Sequence, residues 1–135
     1  AKGVAGLVTF ERAYLDQVRL DRLIGRADVV LLPYDAPDQA TSGVLVEALA
    51  AHKPVIATAF SHAQELLSDG AGLLVPHRDP AAIGAALKRV LTEPDLVADM
   101  YDKARQIAQG TQWSAVAARY RTLAATLLSR TPVPL

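Results

Sequence analysis

The sequence predicts an α/β domain in which a short parallel sheet is flanked by helices. Three observations lead there. Short apolar runs alternate with helical stretches through the first half of the 135 residues, the pattern of strand–helix–strand units. The run Asp28-Val29-Val30-Leu31-Leu32-Pro33 is continuously β-branched and leucine-rich, as suits a strand covered on both faces. Beyond Pro76 the periodicity is helical only, so the sheet belongs to the earlier part.

In order, the first strand candidate is Gly6-Leu7-Val8-Thr9-Phe10. A helix follows over 14–26, with Leu15, Val18, Leu23 and Ile24 spaced for one face. The strand 28–33 ends at Pro33, and the polar, Asp- and Pro-rich 34–42 reads as a loop. Gly43 to His52 is expected as a helix with Val44, Leu45, Ala48 and Leu49 on its apolar side. Pro54-Val55-Ile56-Ala57-Thr58 is the next strand. Ser61 is placed as N-cap of a short helix through Leu67. Asp69-Gly70 turns the chain into an edge-like strand, Gly72-Leu73-Leu74-Val75. Asp79-Pro80 starts the next helix, because aspartate caps and proline fits the first helical position. Helices are expected over 81–91 and 95–108, the latter broken by Gly110, and a last one over 113–129, where Trp113 and Tyr120 are expected to pack it. Residues 1–130 form one domain in this reading, and 131–135, with two prolines, a frayed tail.

Composition narrows the function classes. Fourteen basic and fourteen acidic residues cancel, and no basic stripe is visible, which argues against nucleic acid as a partner. Cysteine is absent, so disulfides, thiolate metal sites and cysteine nucleophiles are excluded. No apolar run approaches the ~20 residues needed to span a bilayer, and 1–7 lack the features of a signal peptide. A cytoplasmic domain is the expectation, with peripheral membrane contact of a longer protein left open. The chain begins Ala1-Lys2-Gly3 without methionine, which reads as a fragment.

Sheets of this type bind ligands outside the carboxyl ends of their strands, here the loop after Pro33 and the turn after Thr58. The loop Asp38-Gln39-Ala40-Thr41-Ser42-Gly43 runs straight into a helix. A helix start offers unpaired backbone N–H groups and partial positive charge, which suit a phosphate. Gly43 lets backbone approach a ligand closely. Glu47, one turn inside, has two carboxyl oxygens that can accept from the vicinal hydroxyls of a ribose. On these residues alone, a capped helix with a solvated glutamate explains the pattern as well.

The residues 28–33, then Ser42-Gly43-Val44-Leu45-Val46-Glu47-Ala48-Leu49-Ala50-Ala51-His52-Lys53-Pro54-Val55-Ile56-Ala57-Thr58, resemble the donor-site signature of family 4 glycosyltransferases. The resemblance continues through Glu65 to Pro76 and in Asp79, Trp113 and Tyr120. It implies a Rossmann-like half of a GT-B fold: the C-terminal domain, which binds a nucleotide-diphosphate sugar and faces an N-terminal acceptor domain across a cleft. The fold is then expected to lack its first strands, since about four are countable against the usual five or six of a doubly wound sheet. The diphosphate clamp and the acceptor domain are likewise expected to be missing from the chain. The resemblance assigns substrate binding to Gln39, Thr41, Ser42, Gly43, Val44 and Glu47, with the amides of Ser42, Gly43 and Val44 facing sugar and pyrophosphate. It names no catalytic residue, no cofactor and no metal. The family pattern has two glutamates; Glu47 stands at the second, which holds the ribose. Gln39 stands at the first, which contacts the hexose, and cannot give an anion-assisted hydrogen bond there.

The resemblance implies a retaining transfer of a hexose to a hydroxyl acceptor by the full-length enzyme, with the fragment inactive alone. The alternative is a non-catalytic nucleotide-binding or interaction module of the same fold. A sugar epimerase of related fold would need an acid–base pair, and none is found. Removing early strands exposes a sheet edge, so self-association is expected. Of the histidines, His52 suits a helix C-terminus, His62 replaces part of a glycine pair lining the family's nucleotide pocket, and His77 reads as a surface residue. Their spacing fits no common zinc motif, and Asp35 and Asp38 lack further oxygen ligands for a divalent ion. Glu65 matches a position beside the pocket or serves capping; Lys53 reads as solvated.

Overall fold

The computed structural model describes residues 3–111 and 113–129. It is built on three parallel strands in the order β1 (Val30–Leu32), β2 (Val55–Thr58), β3 (Gly72–Val75). Val30 pairs with Val55, and Val55 with Gly72, so the strands run in register from a common start. Among the described residues, six α-helices accompany the sheet: α1 (Gln17–Arg26), α2 (Gly43–Ala50), α3 (Ser61–Leu67), α4 (Pro80–Thr92), α5 (Pro94–Thr111) and α6 (Trp113–Ser129). The expected α/β architecture of a parallel sheet with flanking helices is present.

Strand β2 carries the core because it is central and fully buried. Its side chains alternate between faces, as the strand period of two requires. Val55 and Ala57 join Leu45, Leu49, Phe60 and Leu67 on one side, while Ile56 joins Val75, Val90 and Met100 on the other. Helix α5 is shared, sending Ala104 to the first cluster and Met100 to the second. Strand β3 approaches β2 closely enough that a Cβ on Gly72 would lie 2.6 Å from the Val55 carbonyl oxygen.

Several expectations are corrected. Gly6–Phe10 is not a strand. Ala5–Leu7 form a 3-10 turn, closed by the Leu7 amide on the Val4 carbonyl at 2.9 Å, and Leu7 and Phe10 are 86% and 75% exposed. A strand needs a neighbouring backbone for its N–H and C=O groups, and β1 pairs only with β2 among the described residues. Helix α1 starts at Gln17 rather than near Tyr14, because the Asp16 side chain caps it by accepting from the Arg19 amide at 2.8 Å. Ser61 is the first residue of α3 and not its cap. Phe60 takes the N-cap position with an extended backbone while its ring fills the core, so no side-chain cap is made.

Gly110 does not break α5, which runs on to Thr111. A single glycine costs a helix only about 1 kcal/mol, and a Cβ there would meet the Arg119 guanidinium of α6 at 3.3 Å. Trp113 and Tyr120 do not pack α6 down: they are 87% and 69% exposed, and no described residue of that helix is buried. Asp79 and Pro80 behave as expected, the carboxylate accepting from the Ala82 amide at 2.9 Å. The tail 131–135 lies outside the described residues. No described helix is long and apolar enough to cross a membrane.

Candidate functional site

The loops after β1 and β3 and the last residue of β2 meet at one backbone oxygen. Tyr34 follows β1; its carbonyl accepts from Thr58 Oγ1 at 2.7 Å and lies 3.0 Å from His77 Nδ1. A carbonyl oxygen only accepts, so Nδ1 of His77 carries the proton. The other ring nitrogen, Nε2, is buried without a partner among the described residues. His77 is therefore half-buried and tied into the loops, not the surface residue expected from sequence. Arg78 beside it, at φ 59°, bonds both carboxylate oxygens of Asp35 through Nε at 3.0 and 2.9 Å. That pair is exposed and contributes little to stability.

Helix α2 starts against this frame. Ser42 is its N-cap: Oγ accepts from the Leu45 amide at 3.2 Å and lies 3.3 Å from the Tyr34 hydroxyl. Tyr34 itself stacks on Phe60, ring centroids 5.1 Å apart. The Ser42 amide, expected to face a ligand, is engaged within the protein and donates to His62 Nδ1 at 2.9 Å. The amides of Gly43 and Val44 occupy the first helical turn, where no intrahelical acceptor exists. Gly43 is exposed, has no positive φ, and a Cβ there would meet nothing within 4 Å. The fold itself does not require glycine at that position.

The other expected residues divide. Gln39 folds onto its own loop, its side-chain amide donating to the Thr41 carbonyl at 3.1 Å. Thr41 is exposed, and Val44 leans against the core. Glu47 points towards α1. Its Oε1 accepts from Gln17 Nε2 at 2.9 Å, and its Oε2 is buried with no partner among the described residues. It borders a cavity of about 260 Å³ shared with Asp21, Ile24, Ala50 and Ala51. The structure thus gathers Ser42, Gly43 and Val44 at the α2 N-terminus and sets Glu47 one turn further, on the side facing α1. His52 sits in the turn after α2 at φ 55°, edge-on to Tyr101. Glu65 is exposed. No cluster of three or more His, Asp or Glu able to hold a metal occurs among the described residues.

Sequence reasoning missed Gln17, Tyr34 and His77. Gln17 lies thirty residues from Glu47 and has no local signal. The position of Tyr34, directly after a strand-ending proline, could have marked it, because ligand loops leave the sheet there.

The sequence model of the family described as Glycosyl transferases group 1 matches residues 2–93, which include the three strands, the loop 34–42 and helix α2. The chain belongs to the glycosyl transferases group 1 family. A D-inositol 3-phosphate glycosyltransferase from Kineococcus radiotolerans is 36% identical, the match covering 67% of this chain and 22% of that protein. A sucrose-phosphate synthase from Thermosynechococcus elongatus superposes with a TM-score of 0.77 at 28% identity, covering 95% of this chain and 32% of that one. The chain therefore spans about a fifth of the first relative's length and about a third of the second's.

Proposed function

We propose that this chain is the donor-binding part of a glycosyltransferase that takes a nucleotide-diphosphate sugar and passes its hexose, with retention, to a hydroxyl acceptor. Residues 1–130 are the partial donor domain in this reading. The observation that carries it is the buried, unpartnered Oε2 of Glu47, one turn inside a helix whose first amides are free, in a chain of this family. A buried acceptor without a partner costs about 1–3 kcal/mol, and a ribose hydroxyl would satisfy it. The amides of Gly43 and Val44 suit the diphosphate, and Gln39, Thr41 and Ser42 surround the sugar. Catalysis then rests on stabilising the departing diphosphate, so no side chain here is assigned an acid–base role.

An acceptor-binding domain is the implied partner, and the chain alone is expected to be inactive. Inositol 3-phosphate and sucrose phosphate figure in the names of the two similar proteins; the acceptor proposed for this chain is a hydroxyl compound. The test is calorimetric titration of UDP-, GDP- and ADP-sugars, and of the free diphosphates, into this chain carried in its full reading frame. A conjugate bound more tightly than its free nucleotide, and a transferred sugar of unchanged anomeric configuration, are expected. Equal affinity for nucleotide and conjugate, without turnover, would instead favour the non-catalytic module.

A further inference from the structure

The Ser42 amide lies where the donor reading wants a free N–H, yet a side chain of this protein already holds it. His62, in the first turn of α3, accepts it through Nδ1 at 2.9 Å across twenty residues of sequence. Ser42 is buried and His62 half-buried, so the bond is sheltered from competing water. An N–H donor requires a bare ring nitrogen, so Nδ1 is unprotonated and the proton of the neutral ring sits on Nε2. His77 has the opposite tautomer, because its Nδ1 faces a carbonyl. The two histidines of this site are thus held in different states by backbone partners.

We propose that His62 is a positioning residue of the donor site: its Nδ1 latches the residue that caps α2 and so fixes where the next two amides point. Ser42 is held from three sides. Its Oγ caps the Leu45 amide and contacts the Tyr34 hydroxyl, and its N–H is bound by His62. The loop starts anchored at Tyr34 and Asp35; over 36–41 the hydrogen bonds among the described residues are the Gln39 side-chain amide on the Thr41 carbonyl and the Gln39 N–H on the Ala36 carbonyl, each at 3.1 Å. His62 thus ties the end of this loop to α3, as the Tyr34–Phe60 contact ties its start. With the Ser42 N–H taken, a ligand meets the amides of Gly43 and Val44 only. The inference rests on the donor reading and names the residue that aims its diphosphate-facing edge.

The experiment compares His62→Ala with His62→Asn, whose side-chain oxygen can stand where Nδ1 stands. Two measurements are made on the full reading frame: hydrogen exchange of the Ser42 amide, and calorimetric affinity for UDP, GDP and ADP. In the wild type the Ser42 amide is expected to exchange slowly, and long-range nitrogen–proton NMR is expected to find the His62 proton on Nε2. His62→Ala exposes the amide and weakens the bound diphosphate about fivefold, the share of one neutral hydrogen bond. His62→Asn recovers most of both. Unchanged Ser42 exchange in His62→Ala, or affinity lost equally in Ala and Asn, overturns the proposal while leaving the donor reading intact. Failure of the wild type to bind any of the three diphosphates overturns the donor reading, and with it the role given to His62.

Discussion

Gln17, the first residue of α1, donates its side-chain amide at once to Glu47 at 2.9 Å and to Asp21 at 2.8 Å, while the second oxygen of Glu47 is buried with no partner among the described residues. One oxygen of the carboxyl group is thereby oriented. Glu47→Ala should weaken free nucleotide and nucleotide-sugar alike, by about 10- to 100-fold for a loss of about 1.5–3 kcal/mol. Gln17→Ala should weaken both by about fivefold, since it only orients Glu47. Folding stability should hardly fall in Glu47→Ala, because the lost hydrogen bond is offset by removal of an unsatisfied buried acceptor. Calorimetry with both ligands, beside urea unfolding, reads all three; if Glu47→Ala leaves both affinities intact, the residue is a helix residue only.

Gln39 is expected to meet the hexose and not the nucleotide. Gln39→Ala should then leave the free diphosphate unchanged and weaken the conjugate about fivefold. The same titration would sink the assignment if free nucleotide weakened as much as conjugate.

Two glycines should respond in opposite ways. Gly72→Ala puts a Cβ 2.6 Å from a backbone oxygen and about 3 Å from both Leu67 methyls, so β2 and β3 must part. A loss of about 1–3 kcal/mol is expected, read as a lower urea midpoint at unchanged slope. Gly43→Ala meets open space and should leave stability equal or slightly raised, while reducing diphosphate affinity because the methyl stands where the ligand approaches. A destabilised Gly43→Ala would show that the fold, not a ligand, requires that glycine.

Donor binding by the full-length enzyme is expected to need no metal, because helix amides can carry diphosphate charge. Activity should survive exhaustive EDTA treatment. Complete loss, restored by manganese, contradicts this.

Self-association is expected through the outer edge of β1 or the exposed face of α6, which carries Trp113, Leu127 and Leu128. Light scattering at rising concentration decides the matter, and a strictly monomeric chain at every concentration refutes it.

The strands β1, β2 and β3 were legible because each is a short apolar run closed by proline, glycine or a polar turn, and α4 because Asp79 and Pro80 mark its start. Gly6–Phe10 misled for a tertiary reason: its composition is that of a strand, but strandedness depends on a neighbour that composition does not contain. Gly110 misled in the opposite sense, since its cost is small against the packing of α5 on both cores. In the candidate site, Ser42, Gly43 and Glu47 read from the residues only as a helix start after a polar loop, and the resemblance gave them their expected roles. Their partners could not be read from the sequence: Gln17, Tyr34 and His77 act through contacts made only when the chain is folded. That His62 binds the Ser42 amide is likewise a fact of three dimensions; in the sequence His62 stands out only against the glycine pair that the resemblance implies there.

The frame around the candidate site hangs from the main chain of Tyr34, whereas what lines it is side chain. Thr58 and His77 are anchored to a peptide oxygen that every amino acid possesses, and what depends on tyrosine is the ring's contact with Phe60 and the hydroxyl's contact with Ser42. Position 34 should therefore tolerate replacement without the surrounding loops coming apart. In a library randomised at that position, most variants are expected to stay folded and to differ in which ligand they prefer, making it a cheap place for selection to change specificity.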